Sequence, residues 1–127
     1  MKRLSTTLAI LLVAAFAASP MLVQAQMGAP KEKSEVAKLI EAAMASNIRS
    51  ADERARDAKE RKPVETLEFF GLQPNMTVVE LMPSGGWYTK ILAPVLAEKG
   101  KLIVAVGGAR LAPKLLEWKL DKVEAQD

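Results

Sequence analysis

The side chains best suited to chemistry in this sequence lie close together, between Glu80 and Tyr88. Glu80 stands near the end of an apolar run, which is followed by the turn Pro83-Ser84-Gly85-Gly86 and by Tyr88, the single tyrosine of the chain. Glycine allows a sharp turn and a close approach of the backbone to a ligand. A helix that begins after such a turn presents unpaired N–H groups and the positive end of its dipole. This stretch therefore predicts a ligand-binding corner, which we call the glycine corner (residues 84–86).

The composition limits the chemistry that this corner could support. The chain of 127 residues contains no histidine and no cysteine, so a histidine-based catalytic triad is excluded and no metal centre of the zinc type is expected. Acid–base catalysis would have to use Asp, Glu, Lys or Tyr88. The nucleotide motifs G-x-G-x-x-G and G-x-x-x-x-G-K-[ST] are absent from the corner, which argues against NAD and ATP as ligands.

The elements that flank the corner read as strand, helix and strand. Residues 77–82 form an apolar run that opens with three β-branched residues, which favours a strand. An apolar helix is expected over residues 87–99, with a kink or an early stop at Pro94 because proline cannot donate to the carbonyl of Lys90. Residues 102–106 predict a second strand. The pattern is that of a βαβ unit in a parallel α/β sheet covered on both faces, with a ligand at the carboxyl end of the first strand.

The N-terminus has the pattern of a secretory signal peptide over residues 1–25. Lys2 and Arg3 precede an apolar run over residues 8–16, and Val23-Gln24-Ala25 fits the small-x-small cleavage pattern. The run is too short to span a bilayer, so we expect a periplasmic or secreted protein without stable membrane insertion after cleavage. An uncleaved anchor is the alternative.

The charge balance argues against one class of partner. The formal net charge is +3, and loss of Lys2 and Arg3 with the signal leaves 16 basic against 15 acidic residues, a net charge of +1. A nucleic-acid partner is therefore not expected, because such proteins concentrate positive charge on one surface.

One domain is predicted after the signal. Residues 26–32 lack apolar periodicity and read as a flexible leader. The domain over residues 33–127 is expected to contain helices within residues 33–71, the βαβ unit over residues 77–107 and a C-terminal helix over residues 113–122. The last five residues, three of them polar, form a tail that is expected to fray.

The second of the N-terminal helices is predicted over residues 51–62, because Ser50 and Glu53 have the spacing of a capping box. Its many charges indicate either a solvated face, with an Asp57–Arg61 pair, or a lid that turns Arg56, Asp57 and Arg61 toward the corner. Pro63 is suited to begin the next helix and Gly71 to end it.

Several short motifs resemble one known family. Glu80-Leu81-Met82-Pro83-Ser84-Gly85-Gly86, an acidic residue followed by spaced glycines, is similar to the first motif of class I S-adenosylmethionine-dependent methyltransferases. Further motifs resemble a group of secreted, predicted bacterial methyltransferases: Arg61-Lys62-Pro63, Phe69-Phe70-Gly71, Pro74-x-Met76-Thr77-Val78-Val79-Glu80, and Gly85-Gly86-Trp87-Tyr88-Thr89 followed by Ile91-Leu92-Ala93-Pro94. The resemblance covers roughly residues 42–106.

The resemblance implies a Rossmann-like fold and S-adenosyl-L-methionine as cofactor. Glu80 would lie near the methionine amino group, and the backbone of residues 84–86 would line the methionine or ribose portion. Methyl transfer from a sulfonium requires positioning more than a proton shuttle, which suits a chain without histidine or cysteine; no catalytic residue and no methyl acceptor are predicted. Trp87 and Tyr88 are expected to pack at the helix start rather than stack on an adenine. The residues assigned to the cofactor are Glu80, Pro83, Ser84, Gly85, Gly86, Tyr88 and Gly107.

The resemblance also predicts an incomplete fold. Only two strands are readable, and the family's fold has several more, so we expect its N-terminal portion, truncated. The first strand, central in the family, would then be an exposed apolar edge that forms a homo-oligomer or aggregates. Two alternatives to an exported methyltransferase stay open: a non-enzymatic exported module that binds a small molecule or a partner chain, and an inactive remnant of a truncated gene.

Overall fold

The computed structural model describes residues 32–127, so the predicted signal peptide and most of the predicted leader lie outside the described residues. The described strands are all parallel, and their order in the sheet follows their order in the chain. The predicted α/β class is confirmed at this level: a small parallel sheet combined with helices. The elements are α1 (Glu35–Met44), α2 (Ala51–Arg56), a π-helix (Asp57–Arg61), α3 (Pro63–Phe69), β1 (Thr77–Leu81), α4 (Thr89–Leu96), β2 (Lys101–Ala105), α5 (Gly108–Glu117) and β3 (Glu124–Ala125).

Local sequence signals set the starts of the first two helices. Ser34 caps α1 by accepting a hydrogen bond at its Oγ from a backbone N–H of the first turn. The inner face of α1 buries Val36, Ile40 and Ala43. The predicted capping box of α2 is confirmed, since the Glu53 N–H donates to Ser50 Oγ at 3.1 Å and the Ser50 N–H donates to the Glu53 carboxylate at 2.7 Å. An N-cap of this kind stabilises a helix by about 1 kcal/mol.

The helix predicted over residues 51–62 is wrong in its second half. α2 ends at Arg56, and the chain continues as a π-helix that closes when the Lys62 N–H donates to the Asp57 carbonyl at 2.8 Å. A residue that precedes proline is disfavoured in the right-handed helical region, and Lys62 adopts a φ of 41°. Pro63 therefore separates the two segments, and it begins α3 as predicted.

The end of α3 follows the prediction made for Gly71. Gly71 has a φ of 73°, and its N–H donates to the Glu68 carbonyl at 2.9 Å while the Leu72 N–H donates to the Leu67 carbonyl at 3.0 Å. This pair of hydrogen bonds is a Schellman motif. Leu67 and Leu72 are both buried, so an apolar contact accompanies the turn that leads toward β1.

The predicted βαβ unit forms, with a shorter helix than expected. β1 and β2 pair in parallel from Thr77 opposite Lys101 to Leu81 opposite Ala105. Pro94 lies inside α4, and the helix ends soon after it at Leu96, which is the early stop that the missing N–H predicts. α4 is buried along most of its length because it packs between α1 and the sheet.

One expectation for the sheet is wrong: at β1 only one face is covered by the described residues. Leu102 and Val104 are buried in the core with the helices, and the register places Val78 and Glu80 beside them. On the opposite face Val79 is 54% exposed and Leu81 is 62% exposed. The apolar pattern of β1 therefore does not indicate burial on both faces.

The C-terminal helix begins earlier than predicted. α5 spans Gly108–Glu117 rather than residues 113–122, and Pro113 lies inside it. Gly107, at a φ of 95°, is the N-cap residue. This left-handed glycine reverses the chain directly after β2, which a glycine can do at little cost.

The tail that was expected to fray forms β3, parallel to β2. Its last contacts are backbone hydrogen bonds from the Gln126 N–H to the Val104 carbonyl at 2.8 Å and from the Gly108 N–H to the Gln126 carbonyl at 3.1 Å. The Lys101 ammonium also pairs with the Glu124 carboxylate. Among residues 32–127, no helix combines the length and the apolar character needed to cross a bilayer.

Candidate cofactor site

The carboxyl ends of β1 and β2 define one edge of the sheet, which we call the carboxyl edge. The two strands are in register there, and the Met82 N–H donates to the Ala105 carbonyl at 2.9 Å. The loop after β1 and the short turn after β2 therefore leave the sheet side by side. The predicted cofactor residues lie at the end of β1, in the loop that follows it and in the turn after β2, and ligands of open α/β sheets bind outside the carboxyl ends of the strands.

The backbone at this edge adopts conformations that most residues avoid. Left-handed φ values occur after β1 at Met82 (53°) and Ser84 (51°), and after β2 at Val106 (58°). Each such non-glycine residue costs roughly 1–2 kcal/mol, and a β-branched residue such as Val106 is the least suited. Backbone strain of this kind concentrates at active sites and ligand clamps.

Glu80 joins the strand to the helix that follows the corner. Its side chain is half-buried, and its carboxylate accepts a hydrogen bond from the hydroxyl of the buried Thr89 at 2.6 Å. Burial raises the pKa of Glu80 above its ordinary value, and the hydrogen bonds from the Thr89 side chain and backbone offset part of this rise. The carboxylate is thus fixed at the carboxyl edge, where it could accept a hydrogen bond from a cationic ligand group.

The glycine corner has one open side and one filled side. Ser84 and Gly85 are exposed, and a Cβ atom at Gly85 would meet no atom within 4 Å. Gly86 has a φ of 78°, and a Cβ atom there would lie 2.8 Å from the ring of Trp118. The missing side chain at Gly86 therefore serves the packing of α5 against the corner, whereas Gly85 is the glycine that is accessible to a ligand.

The other predicted residues have distinct surroundings. Pro83 is buried beside the corner. Tyr88 is half-buried and contacts Trp87 edge to face, with 4.6 Å between ring centroids, so these two aromatic residues pack at the start of α4. Gly107 is half-buried, and a Cβ atom there would meet nothing within 4 Å.

Two buried ion pairs lie behind the corner, and no local sequence pattern indicates their pairing. The Arg49 guanidinium donates to both carboxylate oxygens of Asp57, at 2.5 Å and 2.9 Å. The Lys90 ammonium donates to both oxygens of Glu53, at 3.0 Å and 3.1 Å. Burial pushes the pKa of Glu53 upward, but the hydrogen bonds from the Ser50 N–H and from Lys90 outweigh it and hold that pKa below its usual value.

Cations also flank both tryptophans. The Trp87 ring has the guanidinium of Arg49 at 5.1 Å and that of Arg61 at 4.9 Å from its centroid. The Lys90 ammonium lies 4.3 Å from the centroid of Trp118, the residue that fills the space at Gly86. Cation–π contacts stabilise by about 0.5–2 kcal/mol. Arg49 and Lys90 each belong to an ion pair and to such a contact, so they connect the ion pairs to the corner.

Neither interpretation of the charged second helix holds in full. Asp57 is buried and Arg61 lies over the Trp87 ring, unlike a fully solvated face, whereas Arg56 is exposed, unlike the predicted lid. The predicted Asp57–Arg61 pair is not among the ion pairs of residues 32–127, because Asp57 is engaged by Arg49.

A cavity of about 260 Å³ lies elsewhere on the molecule. It is lined by the end of α4, the start of β2 and the segment that leads to β3, including Pro94, Leu102 and Leu120. Because it borders the amino end of β2, it is not part of the carboxyl edge.

Comparisons of the chain with protein-family models, with curated proteins and with solved structures found no match. The functional interpretation therefore depends on the geometry of the carboxyl edge and on the motifs around it. What the edge offers chemically is a fixed carboxylate, an exposed stretch of backbone at residues 84–85 and an open glycine after β2.

Proposed function

We propose that this protein is an exported class I methyltransferase-like protein that binds S-adenosyl-L-methionine at the carboxyl edge. The observation that carries the proposal is the parallel β1–α4–β2 unit, which brings Glu80, the open side of the glycine corner and Gly107 to one edge. The resemblance of residues 80–86 to the first methyltransferase motif supports the choice of cofactor.

The proposed contacts follow from what each residue offers. The Glu80 carboxylate accepts hydrogen bonds from the methionine ammonium of the cofactor. The cofactor lies on the side of Ser84 and Gly85, because Trp118 occupies the space at Gly86. Gly107 leaves room after β2 for the ribose, although the family carries an acidic residue at that place to hold the ribose hydroxyls.

The bound cofactor would supply an activated methyl group on a sulfonium. The residues of this chain would hold and orient it, since methyl transfer gains most from positioning.

Calorimetric titration of the purified protein with S-adenosylhomocysteine tests the proposal. We expect saturable heat with a dissociation constant in the micromolar range. S-adenosylhomocysteine is the chosen ligand because it keeps the amino acid and nucleoside portions and cannot transfer a methyl group. Absence of heat at millimolar ligand, with the protein shown to be folded by circular dichroism, would refute cofactor binding.

Export is the second part of the proposal, and it rests on residues 1–25, which lie outside the described structure. Expression of residues 1–127 in a Gram-negative host should yield a periplasmic protein. Its intact mass should match a chain that begins at Gln26. A bulky residue at the cleavage position, in Ala25→Leu, should block this processing. Recovery of the unprocessed wild-type chain from the membrane fraction would instead favour the uncleaved anchor, and recovery from the cytoplasm would refute export.

A non-enzymatic exported binding module is the second candidate, and one observation favours it. Trp118 fills one side of the corner and is held there by Lys90, which narrows the space for a nucleoside. Under this candidate the edge binds a smaller molecule, and S-adenosylhomocysteine produces no heat.

A further inference from the structure

The outer edge of β1 presents backbone groups that the described sheet does not use. The Met82 N–H donates to Ala105, and the Met76 carbonyl accepts from Lys101. In a parallel strand, the N–H and C=O of one residue point to the same side and alternate from residue to residue. The even-numbered residues therefore bond to β2, and the N–H and C=O groups of Thr77, Val79 and Leu81 point to the free edge.

The side chains of the same three residues are exposed on the open face of the sheet. β1 is the terminal strand of the described sheet, and its only charged residue, Glu80, lies on the covered face beside Val104. Proteins usually protect a free edge with charges, proline or a bulge, and residues 77–81 contain no lysine, arginine or proline. This edge is therefore suited to pair with another strand.

A second copy of the same strand complements this edge in one register. When two copies lie antiparallel about a two-fold axis at Val79, Val79 meets its own counterpart, and position 77 lies opposite position 81 of the other copy. Every outward N–H of one copy then meets an outward carbonyl of the other. The exposed apolar side chains of both copies continue as one stripe.

Neighbouring registers are less favourable. An axis at Val78 leaves the outward groups of Leu81 unpaired. An axis at Glu80 leaves those of Thr77 unpaired and places the Glu80 carboxylate opposite that of the other copy, where like charges destabilise the pair. Charge and hydrogen bonding thus select the register centred on Val79.

We propose that two copies of this chain form a symmetric dimer by antiparallel pairing of β1 through this register. The paired sheet runs without interruption through both copies. A contact limited to five residues per copy is smaller than the ~1,600 Å² of a standard interface, so the dimer is in reversible equilibrium with the monomer. This inference does not depend on the proposed cofactor.

Sedimentation of the purified protein over a range of concentrations tests the dimer. We expect a concentration-dependent monomer–dimer equilibrium. Val79→Pro removes an N–H that points to the free edge, so no bond to β2 is lost. Proline is tolerated on a free edge. The variant should weaken dimerisation at least about tenfold. Val79→Thr, which keeps the N–H, is the matched control and should dimerise like the wild type. A wild-type protein that is monomeric at its highest soluble concentration, or a folded Val79→Pro variant that dimerises normally, would overturn the proposal.

A pair of introduced charges tests the register even if the proline variant does not fold. Thr77→Lys and Leu81→Glu should each weaken the dimer, whereas the double variant places opposite charges across the interface and should recover dimerisation. Within one copy the two positions are about 13 Å apart along the strand, so a pair inside one chain does not account for recovery. A double variant that dimerises no better than the weaker single variant would overturn this register.

Discussion

At the scale of single residues, Glu80 is the clearest case of a side chain held at a cost. A carboxylate loses hydration when it is buried, and Thr89 replaces only part of that hydration. A folded-state pKa above the unfolded value means that the native protein binds the proton more tightly than the unfolded chain. Stability is therefore lost as the pH rises from the unfolded pKa through the folded one. A carboxylate with a perturbed pKa is typical of functional sites.

Glu80→Gln should therefore stabilise the protein increasingly as the pH rises. At about pH 4 the carboxyl group is largely protonated in both states, and the two proteins should differ little; near pH 7 the variant should have the larger free energy of unfolding. Urea denaturation across this range measures the difference. In Thr89→Val, which lacks the hydroxyl donor, the free energy of unfolding should decline more steeply with rising pH than in the wild type. A difference that shrinks as the pH rises would contradict the account of Glu80.

Single residues also show what a sequence can and cannot predict. The capping box at Ser50 and the C-terminal glycine at Gly71 were predictable because their partners lie within a few residues. The difference between Gly85 and Gly86 was not, because it depends on Trp118, the residue that follows α5. Both glycines carry the same local signal, and only tertiary packing separates them.

At the scale of elements, the charged segment from α2 through the π-helix forms the support behind the corner. A π-turn is frequently found at functional sites, and here it accompanies a buried Asp57 and an Arg61 that lies over Trp87. Removing one member of a buried ion pair leaves a charge without compensation. The side chain of Arg49 is 0% exposed, so the Asp57 carboxylate is needed to compensate its buried charge.

Asp57→Ala should lower the free energy of unfolding by about 3–5 kcal/mol. The double variant Arg49→Met/Asp57→Leu should be less destabilised, because no buried charge is left unpaired. Glu60→Ala, in the same π-helix but exposed, is the control and should change stability by about 0.5 kcal/mol or less. Urea denaturation at neutral pH, followed by tryptophan fluorescence, measures all three. Equal losses for Asp57→Ala and Glu60→Ala would contradict a structural role for the pair.

The elements that were predicted well are those whose signals are local. β1, α3, α4 and β2 each combine an apolar pattern with a glycine or proline within three residues of an end. The π-helix was missed because residues 51–61 also satisfy an ordinary helix pattern. α5 was placed too late because Pro113 was interpreted as a helix start, whereas Gly107 already provides one.

At the scale of the whole molecule, the parallel sheet was predictable as a class and not in its extent. The βαβ unit follows from two apolar runs around a glycine turn. β3 does not, because Glu124 and Ala125 have little preference for a strand and are placed by hydrogen bonds to the backbone of β2. The open face at β1 was also missed, since an apolar strand looks the same whether one or both of its faces are covered.

The arrangement of the whole molecule separates two surfaces. The carboxyl edge carries the candidate cofactor residues, and the free edge of β1 carries the proposed dimer contact. Only the odd-numbered residues of β1 belong to the free edge, whereas Glu80 belongs to the covered face. Loss of dimerisation and loss of cofactor binding can therefore be measured separately.

The most direct test of the central claim compares two tryptophan variants in their affinity for S-adenosylhomocysteine. Gly85→Trp places a large side chain on the open side of the corner, where a Cβ atom meets nothing within 4 Å, so the fold should tolerate it while binding is blocked. Glu98→Trp, at an exposed position after α4, is the matched control. The account predicts at least about a tenfold loss of affinity in Gly85→Trp and wild-type affinity in Glu98→Trp. Equal affinity in the two folded variants would contradict a cofactor site at the carboxyl edge.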